Sequence, residues 1–331
     1  MKAILLFIGV MNPIKNLKAI GIGNCVDESI DKGRSYVIRN ENVVIENCVF
    51  LRIDSYEFDG GVIFCEGSSM LNICCCIFSN CSTNGKGGAV YFSSKSINIT
   101  NVCCLSCRAM SYGHFFYAEI GQYATFSRTT ISQSAKSWIG FGSMYLVYSV
   151  HLISDSNSSN NMAYQVSVVD FRYSSVLNLT YFNCINNSGK SICINFYGEL
   201  SNNGVMYSNI IKNSSPASFG IINNLYYYIV INCIFSQNNN ILFHSEKGTL
   251  TVINSFFDGN IVTYGPVIIS GTLIQSHAFF IEFFKTAYCY ETVTPPRTYD
   301  QFCIITEHVD EKSSTINFFP IYVSLVMLID H

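Results

Sequence analysis

Charge is what this sequence has least of. Its 331 residues include 19 Lys and Arg and 22 Asp and Glu, so only 12% are charged, about half the usual share of roughly 25%. The net charge of -3 and the isoelectric point near 6.1 leave no basic stripe to neutralise a row of phosphates. Nucleic acid is therefore not an expected partner. The denser charge groups, Asp27 to Arg34 and Glu307 to Lys312, mix both signs near the chain ends and read as solvated loops. Strong helix formers are scarce as well. Ala, Glu, Lys and Leu give way to Ile, Val, Tyr, Phe, Ser and Asn, which excludes a helical bundle and points to an almost wholly β chain. The Gly pairs open no phosphate-binding loop, because no Lys-Ser or Lys-Thr directly follows them.

What the chain does have is apolar and neutral polar residues: 49% hydrophobic, 14% aromatic, and runs such as Asn157-Ser158-Ser159-Asn160-Asn161 that must supply solubility in place of charge. The length is enough to bury a sizeable core. An internal repeat organises that material. Val44-Ile45-Glu46-Asn47-Cys48-Val49-Phe50 is echoed by Asn72-Ile73-Cys74-Cys75-Cys76-Ile77-Phe78 and by Asn98-Ile99-Thr100-Asn101-Val102-Cys103-Cys104. Phe50, Phe78 and Cys104 are then equivalent, with a period typical of solenoids. A second landmark keeps step: Gly60-Gly61-Val62-Ile63-Phe64, Gly87-Gly88-Ala89-Val90-Tyr91-Phe92 and Tyr112-Gly113-His114-Phe115-Phe116-Tyr117. The pattern returns as Val230 to Asn238 and Val252 to Asn260, and fades between about Ser132 and Asp170.

Each unit holds two or three short apolar runs separated by Gly, Asn or Ser, which suits three strands and three turns. The expected fold is an all-β, right-handed parallel β-helix of about ten coils of 22–28 residues. Stacked at about 4.8 Å, ten coils give a rod of roughly 45 to 50 Å. Residues 1–42 read as a signal segment and N-terminal cap, 43–285 as the repeats, and 286–331 as a C-terminal linker, cap or truncated membrane anchor. Lys2 followed by Ala3 to Met11 has the make-up of a short signal sequence, its alternative being a capping strand. The run Phe318 to Ile329 falls below the roughly 18 apolar residues that span a bilayer, and reads as an anchor stump or a buried cap.

The Gly87-Gly88-Ala89-Val90 segment and the Phe-x-x-Asn segments Phe235 to Asn238 and Phe257 to Asn260 carry a family resemblance. They resemble the GGA(I/L/V) and FxxN repeats of the polymorphic outer-membrane-protein-like family, known from chlamydial autotransporter adhesins and from protozoan parasite surface proteins. The resemblance covers about residues 43–265, and its richness in Cys and Asn is closer to the eukaryotic branch. It implies a right-handed β-helix displayed at a cell surface, with adhesion as its role. The chain departs from the motifs where Cys81 takes the Asn position after Phe78 and where Val62 follows Gly60-Gly61.

Fifteen cysteines are spread so that Cys74, Cys75, Cys76 and Cys81 fall in one coil and Cys103, Cys104 and Cys107 in the next. Cys104-Leu105-Ser106-Cys107 has no matching second pair, so the expectation is small buried thiols rather than zinc ligands. Cys289 and Cys303 flank Thr294-Pro295-Pro296-Arg297 and are a candidate disulfide in an oxidising compartment. Asn80, Asn98, Asn157, Asn178, Asn186 and Asn213 each open an N-x-S/T triplet and are candidate glycosylation acceptors of a surface or extracellular protein.

The expected function is structural or adhesive binding to a glycan or protein partner on another cell. It needs no cofactor or metal and no catalytic residue, and Tyr226, Tyr227 and Tyr228 are its candidate contacts, at least one of them turned inward by alternation. The alternative is a β-helix polysaccharide lyase or glycoside hydrolase. Such enzymes need acids converging on adjacent coils, yet no adjacent Asp pair, Asn-Thr-Asp, Gly-His-Gly or Arg-Ile-Lys occurs. Asp54, Glu57, Asp59, Glu66, Glu119, Asp155, Asp170 and Glu199 read as solvated turn residues, and His114 as a variant of the Ala89 position.

Overall fold

The computed structural model describes residues 42–272 except 57–58, 68–69, 136–137, 199–203, 216–218 and 260, together with the strands Leu17–Gly21, Cys25–Val26 and Tyr36–Arg39. Among these residues there is no helix, and the strands pair in parallel to form a β-solenoid of about 8 turns. At about 4.8 Å per turn, that is a rod of about 40 Å. The coil count is thus lower than the ten expected over 43–285, and residues past 272 lie outside the described set. In the other direction, the parallel ladder reaches back to Leu17, which pairs with Asn42.

One coil shows how alternation builds the wall. Asn42–Glu46 lies on a first face, Val49–Leu51 on a second and Ile63–Glu66 on a third, and Met70–Cys74 then returns above Asn42–Glu46. Along Asn42–Glu46 and Met70–Cys74 every second residue is buried, so Val43, Ile45, Leu71 and Ile73 face the interior. The step is 28 residues from Val43 to Leu71, 26 to Ile97, 27 to Ala124, 27 to His151 and 26 to Leu177. It shortens to 22 from Tyr228 to Leu250, the lower bound of the expected range, and to 17 from there to Val267, below it. The period therefore holds through 132–170, where inward Ser, Asn and His such as Ser156, Asn161 and His151 replace the apolar residues that make it readable.

Both landmarks stand in register. Phe50 pairs with Phe78 and Phe78 with Cys104, and the first two rings stack at 4.9 Å. Gly61 N–H donates to Gly87 O and Gly88 N–H to Gly113 O. Gly87 has a φ of +68°, and a side chain on Gly88 would place its Cβ 2.1 Å from the His114 carbonyl oxygen. His114 therefore sits above Gly88 rather than Ala89, which lies beneath Phe115, as the Val90–Phe116 pairing requires.

The second face is bracketed by two columns of left-handed corners. Asn47, Cys75, Asn101, Arg128, Asp155, Tyr181, Tyr207, Asn232 and Asn254 have φ between 48° and 54°. Arg52, Asn80, Ser106, Gln133, Asn160, Asn186, Lys212 and Gln237 have φ between 53° and 56°. For an L-residue that conformation costs about 1 to 2 kcal/mol, and Asn tolerates it best. It turns the chain while leaving its N–H aimed at the next coil: Asn47 N–H reaches Cys74 O at 3.0 Å and Asn80 N–H reaches Leu105 O at 2.9 Å.

The residue after each corner points inward. After the first corner it is repeatedly a small donor that bonds the carbonyl two residues back: Cys76 to Cys74 at 3.1 Å, Ser156 to Ser154 at 2.7 Å, Ser208 to Met206 at 2.8 Å and Cys233 to Ile231 at 3.3 Å. Thiol and hydroxyl play one part there. After the second corner an amide column runs through Asn161, Asn187, Asn213 and Asn238. Each side-chain oxygen accepts the backbone N–H of the preceding coil, as Asn187 Oδ1 does from Asn161 at 3.0 Å. The Nδ2 groups of Asn161, Asn187 and Asn213 donate both to the next amide and to a buried carbonyl, as Asn187 does to Ser158 O at 2.9 Å, and Asn238 Nδ2 donates to Ile210 O. Cys81 and Cys107 stand in the same column and reach the equivalent carbonyls of Phe50 and Phe78 through Sγ, at 3.6 and 3.7 Å. That is the physical content of Cys81 in the Asn position. Burial pushes both thiols well above their ordinary value, so they stay protonated and unreactive.

Two stability predictions follow from these columns. Phe78→Ala is expected to cost about 3 to 5 kcal/mol, since the ring is sealed between Phe50 and Phe115. Asn187→Ala orphans buried groups in two neighbouring coils and is expected to cost roughly 3 kcal/mol or more, with Asn187→Cys recovering part of it. Urea unfolding of the three variants checks both, and a loss under about 1 kcal/mol for either Ala variant contradicts the assigned column.

Candidate functional site

The third face carries a continuous outward column. Because Ile63 and Cys65 point inward, Phe64 points out, and the register places Tyr91, Tyr117, Tyr145, Asp170, Asn195, Asn223, His244 and Tyr264 above it in turn. Its first half is aromatic. The rings of Phe64 and Tyr91 stack at 4.8 Å, Tyr91 and Tyr117 at 5.3 Å, and Tyr117 and Tyr145 at 5.5 Å, all within 9° of parallel. Stacking consumes the ring faces; Phe64, Tyr91 and Tyr145 stay half-buried with part of their surface open, whereas Tyr117 is buried between its neighbours. Burial, with the nearby Glu119 charge, pushes the Tyr91 hydroxyl up, and burial with the Asp170 charge pushes Tyr145 up to about 12. These phenols remain donors at any physiological pH.

The charges beside the aromatic half are tied within the face. Lys86 Nζ lies 4.4 Å from the Tyr117 ring centroid and 3.1 Å from its hydroxyl, which donates to Glu119. Arg172 closes on Asp170 through Nε at 2.8 Å and Nη2 at 2.9 Å, with its guanidinium 5.1 Å from the Tyr197 ring.

The second half of the column is a polar chain. Asn195 Nδ2 donates to Asp170 Oδ1 at 2.7 Å, Asn223 Nδ2 to Asn195 Oδ1 at 2.7 Å, and His244 Nδ1 meets Asn223 Oδ1 at 2.6 Å. Asp170 is fully buried, which corrects its expected place on a solvated turn: it lies within Val166–Arg172. Burial raises its carboxyl, and Arg172 and Asn195 oppose that shift. Sequence reasoning missed this chain because its members are 25, 28 and 21 residues apart and no one residue type runs through it. The usable signal was position, since each falls where Tyr91 falls in its own coil.

The other acids stand apart. Asp54, Asp59, Glu119 and Asp155 are half-buried and Glu66 is exposed, while Glu57 and Glu199 lie outside the described residues. Of the three tyrosines, Tyr228 is the inward one, its ring 4.0 Å from that of Phe196, and Tyr227 is exposed. The triplet asparagines divide. Asn80, Asn98 and Asn186 are exposed and Asn178 is half-buried. Asn157 is buried in the wall, and Asn213 is sealed with its Nδ2 bonded to Cys184 O and Asn238 Oδ1, so the folded chain offers no acceptor at Asn213. Cys103 is disulfide-bonded. Cys289, Cys303, Ala3 to Met11 and Phe318 to Ile329 lie outside the described residues. Among the described residues no group of three or more His, Cys, Asp and Glu could hold a metal ion.

The chain matches no known protein family, and neither a curated protein nor a solved structure is similar to it.

Two interior histidines set an acid limit on this scaffold. Burial holds His114 down at about 4 and His151 at about 3, against 6.5 for an ordinary histidine. Between those values the unfolded chain binds protons that the folded chain refuses, so stability falls as pH drops below 6.5 and levels off only near 4 and 3. Asp170, raised above its ordinary 3.8, acts in the opposite sense just above that value. Urea midpoints are expected to fall steadily from pH 7 to pH 4.5, and His151→Leu to flatten the slope. A midpoint constant over that range contradicts the assignment.

Proposed function

We propose that this chain is a secreted or surface-displayed binding protein whose third face holds a neutral, hydroxyl-rich glycan. The observation that carries this reading is the outward stack Phe64, Tyr91, Tyr117 and Tyr145. An extended polymer laid along the rod meets aromatic ring edges at Phe64, Tyr91 and Tyr145 and phenol oxygens at Tyr91 and Tyr145, in coils spaced by about 4.8 Å. The pairing of Lys86 with Tyr117, and of Arg172 with Asp170, favours an uncharged ligand over a polyanion. Contacts of this kind are individually weak, and several copies on one surface raise avidity by about 10² to 10⁴. The GGA and FxxN resemblance and the exposed triplets at Asn80, Asn98 and Asn186 support display outside the cell. The adhesin-like role belongs to the same proposal, as does anchoring through the C-terminal segment.

The alternative, a polysaccharide lyase or glycoside hydrolase, needs a carboxylate free to move protons. Asp170 is the buried acid on this face, and its oxygens are engaged by Arg172 and Asn195, which favours binding over catalysis.

The test is retention of the full chain on immobilised cellulose, chitin and polygalacturonate. Retention on a neutral polymer is expected, with Tyr91→Ala and Tyr145→Ala each weakening it by about tenfold, or 1.4 kcal/mol, while the circular dichroism spectrum stays β. Retention on polygalacturonate alone, on none of the three, or unchanged in both variants, overturns the reading.

A further inference from the structure

The polar half of the third-face column has a direction, and the direction comes from chemistry. A carboxylate has no hydrogen to give, so Asp170 only accepts, from Arg172 Nε and Nη2 and from Asn195 Nδ2. With its amino group spent on Asp170, Asn195 turns its carbonyl to the next coil and accepts from Asn223 Nδ2. Asn223 likewise turns its carbonyl to His244. A carbonyl oxygen has no hydrogen either, so the 2.6 Å contact requires that His244 Nδ1 carry the proton. Each step leaves the next no choice. In a neutral imidazole so held, Nε2 is a bare acceptor.

The surroundings of that ring are those of a ligand subsite. His244 stacks on Tyr264 at 5.0 Å and meets Phe219 edge-on at 5.3 Å. Tyr264 is 63% exposed and Phe219 38% exposed, so a buried, oriented imidazole lies between two open aromatic rings. No protein group among the described residues bonds its Nε2. Tyr264 is the last described member of the column, and its exposure leaves ring surface open that stacking on both sides denies to Tyr91 and Tyr117. An apolar ring face beside a lone acceptor fits a pyranose, with its C–H face on the aromatic ring and a hydroxyl donated to nitrogen.

We propose that His244 is the acceptor of a sugar subsite, fixed as the Nδ1–H tautomer by a one-way amide relay anchored on Asp170, and that it receives a ligand hydroxyl at Nε2 beside Tyr264 and Phe219. The ligand class rests on the glycan reading above, whereas the relay stands on the protein alone. His244 is a positioned binding group, and Asp170, Asn195 and Asn223 are positioning residues.

The experiment is two-bond proton–nitrogen correlation NMR of the histidines in the ¹⁵N-labelled full chain at pH 7.5. Three variants accompany it: Asp170→Asn, Asn223→Leu, which cuts the relay without touching the Asp170–Arg172 pair, and His244→Phe. Wild-type His244 is expected as the Nδ1–H tautomer. Asp170→Asn gives the head of the relay a hydrogen to donate and is expected to yield mixed tautomers, as is Asn223→Leu. An Nε2–H tautomer or an imidazolium in the wild type, or an unchanged tautomer in both relay variants with the backbone spectrum intact, overturns the relay. Addition of cellohexaose is expected to shift the His244 Nε2 resonance, and His244→Phe to weaken cellulose retention by about tenfold, or 1.4 kcal/mol. Tautomer intact but Nε2 unmoved by cellohexaose, while the chain is still retained on cellulose, overturns the subsite alone. Loss of retention with the tautomer intact is the failure of the glycan reading instead.

Discussion

Everything in this molecule depends on keeping the backbone ladder unbroken around corners. A coil that turned in the ordinary conformations would aim some amide hydrogens into a dry interior, where each unpaired one costs about 1 to 3 kcal/mol. The left-handed residues at Asn47, Asn80 and their equivalents accept local strain so that their own N–H groups reach the next coil. The N–H groups that still face inward are met by side chains. Ser156, Ser208 and Ser255 accept at the first corner, from Thr129, Phe182 and Cys233, and Asn161, Asn187, Asn213 and Asn238 accept at the second. Thus the Asn and Ser content that replaces charge in the composition is structural before it is a matter of solubility.

The same stacking rule makes the outer face what it is. A side chain on a solenoid wall has identical backbone surroundings in every coil, so its neighbours along the rod decide its role. Aromatic residues in successive coils stack and become a ridge, as from Phe64 to Tyr145. Amides and a carboxylate in successive coils become a directed chain, as from Asp170 to His244. The change occurs in one step, between Tyr145 and Asp170, where Arg172 bonds the acid and lies beside the Tyr145 ring at 5.9 Å.

Register was legible in the sequence wherever two landmarks could be aligned. The equivalence of Phe50, Phe78 and Cys104 and the phase of the Gly60, Gly87 and Gly113 corners both stand in the structure. Apolar side chains and glycines report position directly, because few other residues fit a dry interior or a φ near +70°. The amide column was half legible. Asn238 belongs to a visible Phe-x-x-Asn unit, whereas Asn187 follows Cys184 and Asn213 follows Ile210, so the aromatic marker is missing. Asn213 was read as a glycan acceptor because the triplet rule sees three residues and the ladder spans four coils. Asp170 was misplaced for a related reason, since its partners are distant in sequence and a lone acid between apolar residues carries no sign of them. The described residues hold about 8 turns of the roughly ten expected over 43–285, and the last described strand is Val267–Thr272.

The amide columns run in opposite senses. In the interior, the amide-to-amide bonds from Asn161, Asn187 and Asn213 each run toward the higher-numbered coil, while a second hydrogen of each Nδ2 goes back to a carbonyl of the lower-numbered one. On the outside, Asn195 donates to Asp170, Asn186 to Asn160 and Asn209 to Asn183, each toward the lower-numbered coil. Side-chain dipoles aligned along one axis would add, as peptide dipoles do in a helix. Here the two sets of amide-to-amide bonds run in opposite senses, so their axial contributions offset rather than add. Extra coils of the same pattern could lengthen the rod without one end growing steadily more attractive to ions.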